Sequence, residues 1–233
     1  MLRRIFTVCA LISLGNSSAL WSQDAPKESR WASAIADFEK QDEASPPEPG
    51  GVVFVGSSSI RMWDLEKSFP KAGYLNRGFG GSQIADSIEF AKQLVLKHKP
   101  RIVVMYAGDN DIAGGKSPEV VAGDFKKFRE LLHEELPETQ LIYIAIKPSL
   151  KRWEMWPKMD AANKLISAQC DKDPRLAFAD IIEPMLNEAG TPLPGLFVKD
   201  GLHLSEAGYE TWTKVLNSEL ERARKRIAQA QSR

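Results

Sequence analysis

Cysteine is nearly missing from this chain. Of its 233 residues two are cysteine, Cys9 and Cys170. Cys9 lies inside an N-terminal apolar segment, so a processed chain keeps only Cys170, which excludes an internal disulfide; no C-x-x-C pair offers a metal or redox motif. Histidine is scarce too, with three residues, a thin supply for a metal centre. A surplus of charge of either sign is also missing. Lys+Arg number 31 and Asp+Glu 31, so nothing points to nucleic acid or an anionic membrane surface as partner. Long hydrophobic runs are absent as well, because the apolar segment from Ile5 to Leu14 is too short to span a bilayer.

That segment follows Arg3 and Arg4 and precedes small and polar residues around Asn16 to Ser22, the layout of a secretory signal peptide. Residues 1–22 are read as a leader, which implies export to a periplasm or the extracellular space and no stable membrane span in the mature protein. A hydrophobic content of 43% with 27% charged residues is what one soluble domain with an ample core requires. Residues 23–50 read as a short helix, with Trp31, Ile35 and Phe38 at helical spacing, followed by the connector ASPPEPGG over 44–51. The domain proper spans 51–220, and the polar, basic stretch 221–233 reads as a frayed helical tail.

Within the domain, β-rich apolar runs alternate with helical patterns. The runs are VVFV (52–55), YLN (74–76), RIVVMYA (101–107), LIYIAI (141–146) and RLAFAD (175–180). Those at 52, 102 and 141 are apolar almost throughout, as parallel strands covered on both faces must be. Val121, Phe125, Phe128 and Leu132 form one helical stripe; Ile84, Ile88, Ala91 and Val95 form another; Tyr209, Trp212, Leu216 and Leu220 form a third, opened by Ser205 as N-cap. The alternation predicts an α/β fold, a three-layer α/β/α sandwich around a five-stranded parallel sheet, flavodoxin-like.

In such a sheet ligands bind beyond the carboxyl ends of the strands. The loops there read GSSS (56–59), NRGFGGSQ (76–83), AGDNDI (107–112), KPSLKRWEMW (147–156) and VKDGLHLSEAGY (198–209). Singly each is weak: a serine after a strand can cap a helix, cradle a phosphate or act as a nucleophile, and a glycine or asparagine can simply make a turn. Together they place a serine, glycine-rich turns, an asparagine and a D-x-x-H pair on one rim, the set an acyl-transfer site needs.

These blocks resemble the SGNH hydrolase superfamily, which includes the GDSL-type esterases and lipases, and are most similar to its platelet-activating-factor acetylhydrolase-like members. GSS stands where the family has Gly-Asp-Ser, so the resemblance implies that Ser58 is the nucleophile. NRGFGGSQ aligns Gly81 with a backbone oxyanion donor, and AGDNDI aligns Asn110 with a side-chain donor. DGLHLSEAGY supplies Asp200 and His203. Ser57 replaces the family's aspartate, a departure that marks a subfamily. The resemblance implies attack by Ser58 on an ester carbonyl with His203 as base, Asp200 orienting it, and an oxyanion held by the N–H groups of Ser58 and Gly81 and the Asn110 amide, with no metal or cofactor. It points to short-chain esters as substrates, including acetylated carbohydrates and lipids.

Other readings of the same residues were a phosphate or flavin binder using GSSS, a metallophosphatase using Asp109, Asp111, Asp200 and His203, and a non-catalytic carbohydrate- or phosphate-binding relative. Trp153 and Trp156 either wall the substrate pocket or pack beneath a helix. The remaining histidines, His98 and His133, sit beside charged neighbours in helical patterns and are expected on the solvated surface.

Overall fold

The computed structural model describes residues 29–232, and the fold belongs to the unit that begins at Trp31. The leader expected over 1–22 lies outside the described residues. In chain order the elements are α1 (Ala32–Ala44), β1 (Val52–Gly56), α2 (Ser58–Arg61), α3 (Leu65–Ser68), β2 (Leu75–Gly78), α4 (Ile84–Glu89), α5 (Ala91–Leu94), β3 (Ile102–Tyr106), α6 (Asp109–Ala113), α7 (Pro118–Glu135), β4 (Gln140–Ile144), α8 (Trp156–Cys170), β5 (Leu176–Ala179) and α9 (Glu206–Gln231). The strands form one parallel sheet in the order β2-β1-β3-β4-β5.

Strand periodicity builds the three layers. Successive strand side chains point to opposite faces, so Val53 and Val55, Val103 and Met105, Leu141 and Tyr143 join one hydrophobic cluster with α4, α7 and α8. Val52 and Phe54, Ile102, Val104 and Tyr106, Ile142 and Ile144 join the other, with α2, α3 and α9. Every residue of β1, β3 and β4 is buried. The long helices start where their caps dictate: Ser117 accepts from the Val120 N–H with Pro118 in the first turn, and Ser205 accepts from the Gly208 N–H.

Several local expectations are corrected. The second strand runs to Gly78 rather than ending at 76, and the helix after Ser82 breaks at Phe90 into α4 and α5. The stretch after Leu220 is an intact continuation of α9, not a frayed tail, because Ala223 is fully buried and Ile227 packs on the second cluster. Polar composition hid a stripe that continues with two small or aliphatic side chains.

Neither remaining histidine is a freely solvated surface group. His98 belongs to a 3₁₀ turn over 96–98, so its direction does not follow the α-helical stripe; it is buried, 3.5 Å from Asp42. Asp42, on α1, also pairs with buried Arg77 of β2 and with Lys97. Burial, partly opposed by Asp42, lowers the His98 pKa to about 4. His133 is half-buried, and its Nε2–H donates to the Thr139 carbonyl at 3.0 Å.

Candidate active site

The sheet order reverses direction between β1 and β3, the point beyond whose carboxyl ends open α/β sheets bind their ligands. Gly56 ends β1 with φ +137°, and a Cβ there would lie 1.9 Å from the Tyr106 carbonyl oxygen. Only glycine fits, and the strand turns sharply: the Ser57 N–H donates to Tyr106 O at 3.0 Å and Ser58 opens α2. The end of β2 lies against the same helix, since a Cβ on Gly78 would stand 2.2 Å from the Arg61 backbone nitrogen.

Ser58 meets the far end of the chain. Its hydroxyl oxygen is 3.0 Å from His203 Nε2, and His203 Nδ1 is 2.6 Å from Asp200 Oδ2. The other carboxylate oxygen, Oδ1, accepts the backbone N–H groups of Leu202 and His203 at 2.8 and 2.9 Å. Asp200 therefore makes an Asx-type turn with one oxygen and orients the imidazole with the other. A carboxylate accepts only, so Nδ1 carries the ring proton and Nε2 presents its lone pair to the Ser58 O–H. The His203 hydrogen bond, then the two backbone donors, hold the Asp200 carboxyl down to about 2. It stays ionised across any ordinary working range.

Asn110, in the first turn of α6, bridges to the glycine-rich loop. Its Nδ2 donates to the Ser82 carbonyl at 3.0 Å, while Gln83 Nε2 donates back to the Asn110 carbonyl at 3.4 Å. Gly81, adjoining Ser82, adopts φ +77° on the exposed side of that loop, with the Trp31 ring edge 3.4 Å from where a Cβ would stand. Trp153 and Trp156 stack on each other at 5.8 Å between centroids, and Trp156 packs against the first hydrophobic cluster.

The loop after β4 carries residues that no motif singled out. Lys147 is buried, and its ammonium donates to Ser59 Oγ, Tyr106 O–H and Asp109 Oδ2 at 3.2, 2.9 and 3.1 Å. Arg152 pairs with the same Asp109 oxygen at 3.1 Å and donates to Asn110 Oδ1 at 3.0 Å. Burial alone would raise the Asp109 pKa, but Lys147 and Arg152 outweigh it and the carboxyl is held below its ordinary value. Burial lowers the Lys147 pKa, with Asp109 opposing. On the other side Tyr209 O–H donates to the Ser59 carbonyl at 2.9 Å. The one sequence signal for this frame was a lysine directly continuing the apolar run LIYIAI.

Asp109 and Asp111, which a metal-centre reading requires, are committed to other partners. Asp111 accepts from Lys116 at 2.9 Å and faces the Ile84 N–H at 3.3 Å. Both carboxylates sit in ion pairs with lysine or arginine.

The chain is similar to several known proteins. Platelet-activating factor acetylhydrolase IB subunit alpha1 of Bos taurus is 28% identical over 202 residues, covering 84% of each chain. Among solved structures, a GDSL-like lipase from Bacteroides thetaiotaomicron superposes with TM-score 0.68 at 22% identity, covering 81% of this chain and 98% of its own. A family 3 carbohydrate esterase from Talaromyces cellulolyticus superposes with TM-score 0.60 at 18% identity, covering 77% and 99%. At these identities the two structures speak for the fold. The family model for the GDSL-like lipase/acylhydrolases matches residues 57–211, from the serine turn through the Asp200–His203 loop into α9, and the chain belongs to that family.

Proposed function

We propose that this protein is an exported serine esterase that hydrolyses short-chain carboxylic esters, acetyl esters of carbohydrates or lipids, through an acyl-enzyme on Ser58. The observation that carries the reading is the position of His203, 3.0 Å from Ser58 Oγ and 2.6 Å from Asp200. A serine hydroxyl is a weak nucleophile at neutral pH, and an imidazole with a free Nε2 lone pair at hydrogen-bond distance is the base it needs. Asp200 fixes the tautomer and stabilises the imidazolium formed as the proton moves. The acetyl preference is supported by the names of two similar proteins, an acetylhydrolase subunit and a carbohydrate esterase.

In the first half-reaction Ser58 Oγ bonds to the ester carbonyl carbon and its proton passes to His203 Nε2. The negative charge on the carbonyl oxygen is met by the backbone N–H groups of Ser58 and Gly81 and by Asn110 Nδ2. Collapse expels the alcohol, protonated by His203, and leaves acyl-Ser58. Water, deprotonated by His203, then attacks the acyl carbon and releases the acid.

The test is hydrolysis of p-nitrophenyl acetate, butyrate and octanoate by protein from about residue 23 onward, with Ser58→Ala and an EDTA control alongside. Activity that disappears in the variant and is indifferent to EDTA supports the serine esterase, and the chain-length trend sizes the acyl pocket. Wild type and Ser58→Ala equally inactive would instead favour a non-catalytic carbohydrate- or phosphate-binding member of the same fold.

A further inference from the structure

We propose that Arg152 is a positioning residue that acts through Asn110, holding its carboxamide with Nδ2 toward the oxyanion; this rests on the esterase reading above. An asparagine amide has one acceptor and two donors, and exchange of its O and N by a half-turn costs little unless neighbours forbid it. Here both ends are specified. Arg152 Nη2 donates to Oδ1 at 3.0 Å, and Nδ2 donates to Ser82 O at 3.0 Å. The flipped amide would set an NH2 against a guanidinium and an oxygen against a carbonyl. One N–H of Nδ2 is taken by Ser82, leaving the second for the substrate.

Arg152 is itself fixed. Its guanidinium pairs with Asp109 Oδ2 at 3.1 Å, and that oxygen also accepts from Lys147 at 3.1 Å. The three side chains are 17%, 6% and 1% exposed in the order Arg152, Asp109, Lys147. Two cations share one carboxylate, so the cluster keeps a net positive charge, and the member that reaches the amide is a cation. A guanidinium on Oδ1 draws electron density to the oxygen and makes the Nδ2 hydrogens better donors, the cooperative strengthening of linked hydrogen bonds. A lysine at 152 could carry the charge but lacks the planar fork that serves Asp109 and Asn110 together.

The experiment is a double-mutant cycle on kcat and KM for p-nitrophenyl acetate, with Arg152→Ala, Arg152→Lys, Asn110→Ala and the Asn110→Ala/Arg152→Ala pair. Loss of one oxyanion donor lowers kcat by about 10² to 10³-fold, so Arg152→Ala is expected to lower it by less, about 10 to 10²-fold, at nearly constant KM. Arg152→Lys should fall between Ala and wild type. In the Asn110→Ala background the arginine change should add less than about threefold, because its target is gone. A raised KM at unchanged kcat would mean that Arg152 binds substrate directly, and an equal loss with and without Asn110 would mean a general structural role; either overturns the proposal.

A second readout is independent of turnover and covers an unstable alanine variant. The Asn110 side-chain amide is assigned in ¹⁵N-asparagine-labelled protein by its disappearance in Asn110→Ala, and it should shift in Arg152→Lys; an unmoved resonance refutes the contact. Failure of the esterase itself is seen separately, as rates that do not depend on Ser58.

Discussion

Replacing Asp200 by asparagine isolates what the carboxylate does, because shape is preserved and one acceptor oxygen is exchanged for a donor NH2. Oδ1 of Asp200 accepts two backbone N–H groups, at 2.8 and 2.9 Å. In Asp200→Asn the amide oxygen must stay on those two donors, since turning the NH2 toward them would leave both unsatisfied inside the turn. The NH2 then faces His203 Nδ1, in the place now occupied by Oδ2 at 2.6 Å. Nδ1 becomes the acceptor, the ring proton moves to Nε2, and Nε2 donates to Ser58 Oγ instead of taking its proton. The base is present, correctly placed and in the wrong tautomer.

The expected loss in kcat is about 10³ to 10⁴-fold, as for the same exchange in a Ser-His-Asp site, which corresponds to about 4 to 5.5 kcal/mol of barrier. The fold should be unaffected, because the two backbone acceptor bonds survive and Asp200 is 48% exposed. The assay is kcat on p-nitrophenyl acetate at pH 8 with the Ser58→Ala rate subtracted, together with the ¹⁵N shifts of the His203 ring. Retention of more than a tenth of wild-type kcat, or a ring that keeps its proton on Nδ1, would refute the tautomer argument. Asp200→Ala is the control. It frees the tautomer but unties the turn, so it should lower thermal stability where Asp200→Asn does not.

Other perturbations test the frame around the site. Lys147→Met removes one partner of a buried ion pair and leaves Asp109 with Arg152 alone, which should cost about 3 kcal/mol of stability, read as a lower denaturation midpoint at constant m-value; an unchanged midpoint would mean the pair contributes nothing. His98 is neutral in the fold, with its pKa lowered to about 4, while the unfolded chain binds a proton near 6.5. Stability should therefore fall as pH drops from about 6.5 to about 4, by about 2 to 3 kcal/mol, and His98→Gln should flatten that part of the urea-midpoint profile. Truncation after Leu220 removes buried Ala223 and the Ile227 contact; a lowered melting temperature is expected, and an unaltered one would restore the reading of 221–233 as a dispensable tail.

How much of this could be read from residues alone depends on what kind of signal each element leaves. The sheet was legible because β1, β3 and β4 are covered on both faces and so run apolar without interruption. Half-exposed β2, with Asn76 and Arg77 inside it, left a weaker trace, and its end was misplaced. The break at Phe90, a single turn residue between α4 and α5, and the inward direction of His98 in its 3₁₀ turn are local features that no 3.6-residue stripe records. Distance along the chain was no obstacle: Ser58 and His203 are 145 residues apart and were paired from their motifs. Lys147 and Ser59 are only 88 apart and were not, because lysine is a residue that composition assigns to the surface.

That omission clarifies how the site is built. Four of the five strands end in a loop that carries one part of the proposed site: Ser58 after β1, Gly81 after β2, Asn110 after β3, and Asp200 with His203 in the excursion after β5. The loop after β4 brings none of these and instead sends two cations back across the sheet. Lys147 reaches Ser59, beside Ser58, and Arg152 reaches Asn110, with Asp109 between them. The Ser57–Ser59 turn and the amide of the β3 loop are thus tied to one buried carboxylate, and movement of either strains bonds to the other. Ser57, at the position of the family's aspartate, is buried with its hydroxyl lacking a hydrogen-bond partner among the described residues. The turn is held by the Ser57 N–H bond to Tyr106 O and, at Ser59, by Lys147 on the hydroxyl and Tyr209 on the carbonyl.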